Sequence, residues 1–176
     1  MNSTAPDYIE PLVGWRLWSI VESGGRARLG SPVHSQAWTP CEPFQATCQS
    51  RQRQRRRPWR WEPVEAHDVP GEGCTCGVYA LNLSDHLLEE CFQPIMMEYR
   101  FEYRVIGRVS LWGDVVEAAR GWRASIAYPA ELWLPEMEHR RRASLDLTRA
   151  AGDLEAYGVP VHLCAPHGPR EILKAL

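Results

Sequence analysis

The chain has 176 residues, 44% of them hydrophobic, and its 20 basic and 22 acidic side chains leave a formal net charge of -2; that size supports one sizeable core, and the charge balance by itself identifies no partner. The opening MNSTAPDYIEP lacks the basic and apolar regions of a secretory leader, and no stretch approaches the roughly 18 apolar residues of a membrane span. The expectation is a single-domain, cytoplasmic protein with no membrane role, whose six cysteines serve as thiols or metal ligands rather than disulfides.

In chain order, Val13, Trp15, Leu17, Trp18 and Ile20 predict a strand over 12–21, turned back by Glu22-Ser23-Gly24-Gly25. Phe44 to Cys48 reads as a second short strand. Residues 51–61, RQRQRRRPWRW, carry Arg51, Arg53, Arg55, Arg56, Arg57 and Arg60 with Trp59 and Trp61, and Pro58 marks the run as a loop or extended arm. Val78 to Leu83 suggests a short strand or turn, and 84–92 a helix with Ser84 as its N-cap. Residues 103–117 and 121–128 predict an antiparallel hairpin turning at Ala119-Arg120-Gly121, with Gly107 and Gly113 implying a kink or strong curvature in its first strand.

Beyond Pro135, the charged residues 136–142 fit a solvated helix face. The apolar positions Leu145, Leu147, Ala150, Ala151, Leu154 and Tyr157 fit a helix ended by Gly158-Val159-Pro160, and Val161 to Cys164 forms a last strand. Segment 135–176 is thus a helical region with a short strand. The fold class expected is α+β: a curved antiparallel sheet with flanking helices and a metal-pinned loop over 48–76. Trp15, Trp18, Trp38, Trp112, Trp122 and Trp133 are read as core. His34, His86, His139 and His162 lack companions at a telling distance.

Cys74 and Cys76 form a Cys-x-Cys pair followed by Gly77, and His67 precedes them by six intervening residues. Two thiolates on a glycine-flanked turn can converge on one ion, and Zn2+ suits sulfur and imidazole in a tetrahedral shell. Cys48, separated from His67 by 18 intervening residues, completes a Cys3His set; Cys41 and the pair Cys164 with His167 compete for the fourth position on spacing alone. A vacancy there would admit water beside Glu65, Asp68 and Glu72, the arrangement of a zinc hydrolase. Neither a zinc-protease helix motif, a nucleophile elbow nor a phosphate-binding glycine loop is present, so no catalytic residue is assigned.

The segments HDVPGEGCTCGVYA (67–80) and VIGRVSLWGDVVEAARGWRASIAYP (105–129) resemble a group of uncharacterised small actinobacterial proteins. In these, a His-x-x-Pro and Cys-x-Cys-Gly-(Ile/Val)-Tyr-Ala motif precedes a Gly-x-Val-x-Leu-Trp-Gly strand. The resemblance covers about half the chain and implies that Cys48, His67, Cys74 and Cys76 act as a unit; it brings no activity. The stretch between Cys48 and His67 is longer here than in that group.

Removing the six positive charges of 51–61 from a net charge of -2 leaves -8 on the remainder, so charge is polarised between arm and body. Guanidinium groups suit phosphates and the two tryptophans suit stacking on unpaired bases. The sequence therefore points to a non-enzymatic, zinc-stabilised binding module whose arm contacts nucleic acid, or alternatively to a protein adaptor using the arm and exposed aromatics on an acidic surface.

Overall fold

The computed structural model describes residues 11–32, 36–48, 67–71, 73–82, 104–135 and 146–164. Its first strand, β1 (Leu12–Ser23), alternates between two layers, as a period of two requires. Leu12, Trp18 and Ile20 pack into the main core, while Trp15 and Leu17 join Ile106 and Trp133 in a second cluster. Gly24 and Gly25, both with positive φ (61° and 73°), make the two-residue turn into β2 (Arg26–Gly30), and Ser23 faces Arg26 across it. Two successive left-handed residues are what a tight hairpin needs to match the twist of its strands.

The long hairpin of β5 (Arg104–Ala118) and β6 (Gly121–Pro135) dominates the sheet. Its second strand runs to Pro135 rather than ending at residue 128. Pro129 did not end it because a register shift between Arg108 and Val109 accommodates that residue opposite Val109. A second shift, between Trp112 and Val115, spans Gly113 at φ 75°. There the Asp114 amide, thrown off the ladder, donates to Ser125 Oγ at 2.9 Å. Curvature was thus foreshadowed by Gly113; Gly107 marks a close approach instead, since a Cβ there would strike the Glu131 carbonyl and the Trp18 ring.

One edge of β6 is taken by β5; the other is shared by three short strands in succession. β4 (Val78–Leu81) pairs with residues 121–124, β3 (Phe44–Gln45) with 126–127, and β7 (Val161–Cys164) runs parallel to 132–135. Because β1 pairs with β5 along Leu12–Ser19 and meets β4 at Trp15 opposite Leu81, the sequence β1–β5–β6–β4–β1 closes on itself. The antiparallel expectation holds for all pairs but the last, which makes the sheet mixed.

Among the described residues there is one α-helix, α1 (Leu147–Leu154), so the fold is more sheet-dominated than expected; the predicted helices over 84–92 and 136–142 lie outside the described residues. Asp146 caps α1 by accepting from the Arg149 amide at 3.0 Å. Ala150 and Leu154 enter the core, and Asp153 accepts from the Ala27 amide at 2.9 Å. A 3-10 turn, Glu155–Tyr157, ends at left-handed Gly158, the stop the sequence suggested. The Tyr157 hydroxyl, fully buried, accepts from the Leu29 amide at 3.0 Å and donates to the Trp38 carbonyl at 2.7 Å. No helix among the described residues is long and apolar enough to cross a membrane.

Candidate metal centre

Two strands on the same edge of β6 deliver the site. Cys48 follows β3, whose continuation is held by the Ala46 amide donating to the Ser125 carbonyl at 2.8 Å. Cys74 and Cys76 lead into β4, and Gly77, with φ 117°, makes the bend between the second thiol and the strand. Residues 123–127 of β6 therefore bring together cysteines that are 26 positions apart in the chain. His67 arrives on the segment 67–71, and the Cys74 amide donates to the Gly71 carbonyl at its end at 3.3 Å.

Cys48, His67, Cys74 and Cys76 offer four ligand atoms, all within 4.8 Å of one another, a group that can hold a metal ion. Cys48 Sγ stands 3.4 Å from His67 Nε2 and 3.8 Å from Cys74 Sγ. His67 Nδ1 lies 2.7 Å from the Asp68 carbonyl, to which only a protonated Nδ1 can donate. That bond fixes the tautomer that leaves the Nε2 lone pair for Cys48 Sγ and a shared ion, while Cys76 Sγ lies 4.0 Å from Nδ1.

The same Asp68 carbonyl is the first cause that raises the basicity of His67, partial desolvation opposes it, and the Cys74 and Cys48 sulfurs add to it. Burial pushes the Cys76 thiol up; the Gly71 amide, donating to its Sγ at 3.3 Å, partly offsets this, and the neighbouring Cys74 and Cys48 raise it further. The Cys76 thiol thus resists carrying negative charge, and a cation beside it reverses that preference.

A surrounding layer holds the turn. Arg123 Nη1 donates to the carbonyls of Cys74 and Cys76, the second at 3.0 Å, and its guanidinium lies 5.9 Å from the Tyr79 ring centre. The Tyr79 hydroxyl in turn donates to the Thr75 carbonyl at 2.8 Å. Gly71 is buried directly against the imidazole: a Cβ there would overlap the His67 ring. Tyr79 belongs to the Cys-x-Cys-Gly-Val-Tyr-Ala motif but receives no role from it, and nothing in the spacing of Arg123 or Gly71 marks a residue that acts through a backbone carbonyl or by having no side chain.

The competing cysteines sit elsewhere. Cys41, with φ 62°, is exposed, its amide donating to the Tyr128 hydroxyl at 2.8 Å. Cys164 packs against Trp15, Ile106 and Trp133. Of the neighbouring carboxylates, Asp68 contributes its carbonyl, and Glu65 and Glu72 lie outside the described residues, as do His167 and the whole arm with Arg51, Arg53, Arg55, Arg56, Arg57, Trp59, Arg60 and Trp61. His162, given no chemistry from the sequence, faces Glu131 Oε1 at 2.9 Å and stacks on Trp133. No protein-family model matches the chain, and no curated protein or solved structure is significantly similar to it.

Proposed function

We propose that the four-residue cluster is a structural zinc site and that the chain is a non-enzymatic binding module organised by it. The carrying observation is the convergence of three sulfurs and one imidazole within 4.8 Å. A tetrahedral ion with bonds of about 2.3 Å to sulfur and about 2.0 Å to nitrogen spaces two sulfurs about 3.8 Å apart and a sulfur and a nitrogen about 3.5 Å apart. The Cys48–Cys74 and Cys48–His67 separations of 3.8 Å and 3.4 Å match that shell, and the wider spacings of the cluster, up to 4.8 Å, close in around a bound ion. Soft thiolates select zinc over magnesium or calcium, and four protein donors leave no coordination position for a reactive water. These features favour a fastening role over hydrolysis.

The segment 49–66, which contains the six arginines, begins and ends next to ligands, so one ion restrains both of its ends. Such a restraint lowers the entropy cost of binding through a polar segment with few apolar anchors. The arm's guanidinium groups and tryptophans suit a single-stranded or looped nucleic acid better than an apolar partner. The metal reading is tested by metal analysis of the purified protein, which is expected to give one zinc per chain; a metal-free protein that is folded and binds no added zinc overturns it. Nucleic-acid contact is tested by measuring affinity for single- and double-stranded probes across a salt series. Weakening by salt and by changing Arg55, Arg56 and Arg57 to alanine is expected, and absence of binding at low salt overturns it.

A further inference from the structure

The three thiols of the candidate metal centre lie at unequal depth. Cys74 sits between exposed Gly73 and Thr75 and keeps part of its surface in water, whereas Cys48 and Cys76 are buried. Cys48 Sγ lies 3.8 Å from Cys74 Sγ, although the two residues are 26 positions apart. Sheet register holds them there: Cys48 follows β3, Cys74 leads into β4, and both strands are fastened to one stretch of β6. Cys41 and Cys164 stand outside the cluster.

A partly exposed thiol with a second thiol beside it has the arrangement of a reversible redox pair. A disulfide spaces its sulfurs about 2.05 Å apart, so the 3.8 Å gap must shorten by about 1.8 Å. Cys76 is the poorer partner for Cys74. Its Sγ accepts from the Gly71 amide at 3.3 Å, and a bond to Cys74 would have to close across the single residue Thr75.

We propose that Cys48 and Cys74 form a hydroperoxide-sensitive switch, in which oxidation to a disulfide expels the zinc and reduction lets it return. The switch rests on the zinc reading above and adds regulation to it. First, the Cys74 thiolate attacks one oxygen of a hydroperoxide; an S–O bond forms, the O–O bond breaks, and the second oxygen leaves with the bonding pair as hydroxide or alkoxide. Cys74 is then a sulfenic acid. The Cys48 thiolate attacks the Cys74 sulfur, forming the S–S bond and displacing hydroxide. The two sulfurs together give up two electrons, and the peroxide takes both. Neither sulfur of the disulfide keeps the negative charge that holds Zn2+, and Cys76 with His67 fill only half of a tetrahedral shell. The segment 49–66 thereby exchanges its second anchor: His67 lets go, Cys74 becomes the fastened end, and the restrained span grows to 49–73. Oxidation loosens the arginine-bearing segment without cutting it loose.

The test uses the full chain, reduced, zinc-loaded and stripped of unbound metal, and treats it with hydrogen peroxide or tert-butyl hydroperoxide. A zinc indicator, thiol titration and peptide mapping are read together. Release of one zinc with the loss of two thiols per chain is expected, together with a mapped link between Cys48 and Cys74 and recovery of zinc binding after dithiothreitol. Amide exchange over residues 67–71 should rise while β4 stays protected. Cys48→Ser removes the second thiol, so a sulfenic acid should persist at Cys74 and be trapped by dimedone; should that variant fail to fold, the map of the unaltered chain carries the comparison. A protein that never takes up zinc fails the metal reading itself. A zinc-bearing protein that keeps its metal under peroxide, or loses it with Cys74 linked to another cysteine or carried straight to a sulfinic acid, leaves the metal reading standing and overturns the switch.

Discussion

Arg123 of β6 donates to the carbonyl of Cys76 at 3.0 Å and, with the same nitrogen, to that of Cys74, so a strand residue grips the backbone of the candidate metal site without touching any of its four ligand atoms. Replacing Arg123 by alanine removes that grip while keeping all four ligands. Zinc affinity, measured by competition with a chromophoric chelator, is expected to fall by about 10–100-fold, the range typical of residues that orient ligands. Arg123→Lys, which supplies one donor in place of a planar fork, should recover part of the loss.

Gly71→Ala tests the packing behind the imidazole. The added methyl has no room beside His67, so the ring must move and the bond from Nδ1 to the Asp68 carbonyl must break or bend. Zinc affinity should drop although no ligand is altered, with the core unaffected. The contrast with Gly73→Ala is informative, because a Cβ at that position meets no atom within 4 Å but is strained by a φ of 70°. Gly73→Ala should cost stability of the turn, read as a lower thermal midpoint, more than it displaces the ring.

Chelation should unfasten the turn and spare the sheet. The buried core is centred on Trp18, Leu29, Val105, Leu111, Leu132 and Leu154, and neither Cys74 nor His67 belongs to it. Hydrogen exchange after zinc removal is expected to accelerate for residues 67–78 while the β1, β5 and β6 amides stay protected; uniform loss of protection would show that the metal holds the entire fold.

Alkaline titration probes the Tyr157 hydroxyl. Burial raises its pKa to about 12 in the folded protein, against about 10 for an unperturbed tyrosine. The folded state therefore keeps this proton longer than the unfolded chain does. Its contribution to stability is complete below about pH 10 and is lost as the pH rises through about 12. Tyr157→Phe should flatten the dependence of stability on pH in that window. It should also cost about 1–3 kcal/mol at neutral pH, because the Leu29 amide and the Trp38 carbonyl lose their partner. Denaturant unfolding of both proteins across the window measures both effects.

The four residues of the candidate site were legible because their chemistry is written in residue type: Cys74, Cys76 and His67 cluster in sequence, and Cys48 completes a Cys3His set that the geometry separates from Cys41 and Cys164. The hairpin and the helix stop at Gly158 were legible for the same local reason, periodicity and turn residues. What escaped depends on long-range pairing. Pro129 reads as a break only to an observer who cannot see the register shift opposite Val109, and β7 pairs parallel to β6 because α1 carries the chain across, which no pattern within residues 161–164 encodes. Arg16 looks like an ordinary outward charge between Trp15 and Leu17 until β1 is seen to be covered on both faces.

The succession of β4 and β3 along a single margin of β6 makes the length of that strand a calibrated gauge. Adding one residue between Ala124 and Ile126 would shift one pairing against the other by about 3.3 Å and turn the following side chains over. Cys48 would then no longer meet Cys74 and Cys76, although every ligand were kept. The residue count that the four-residue cluster depends on is therefore the one in the strand behind it.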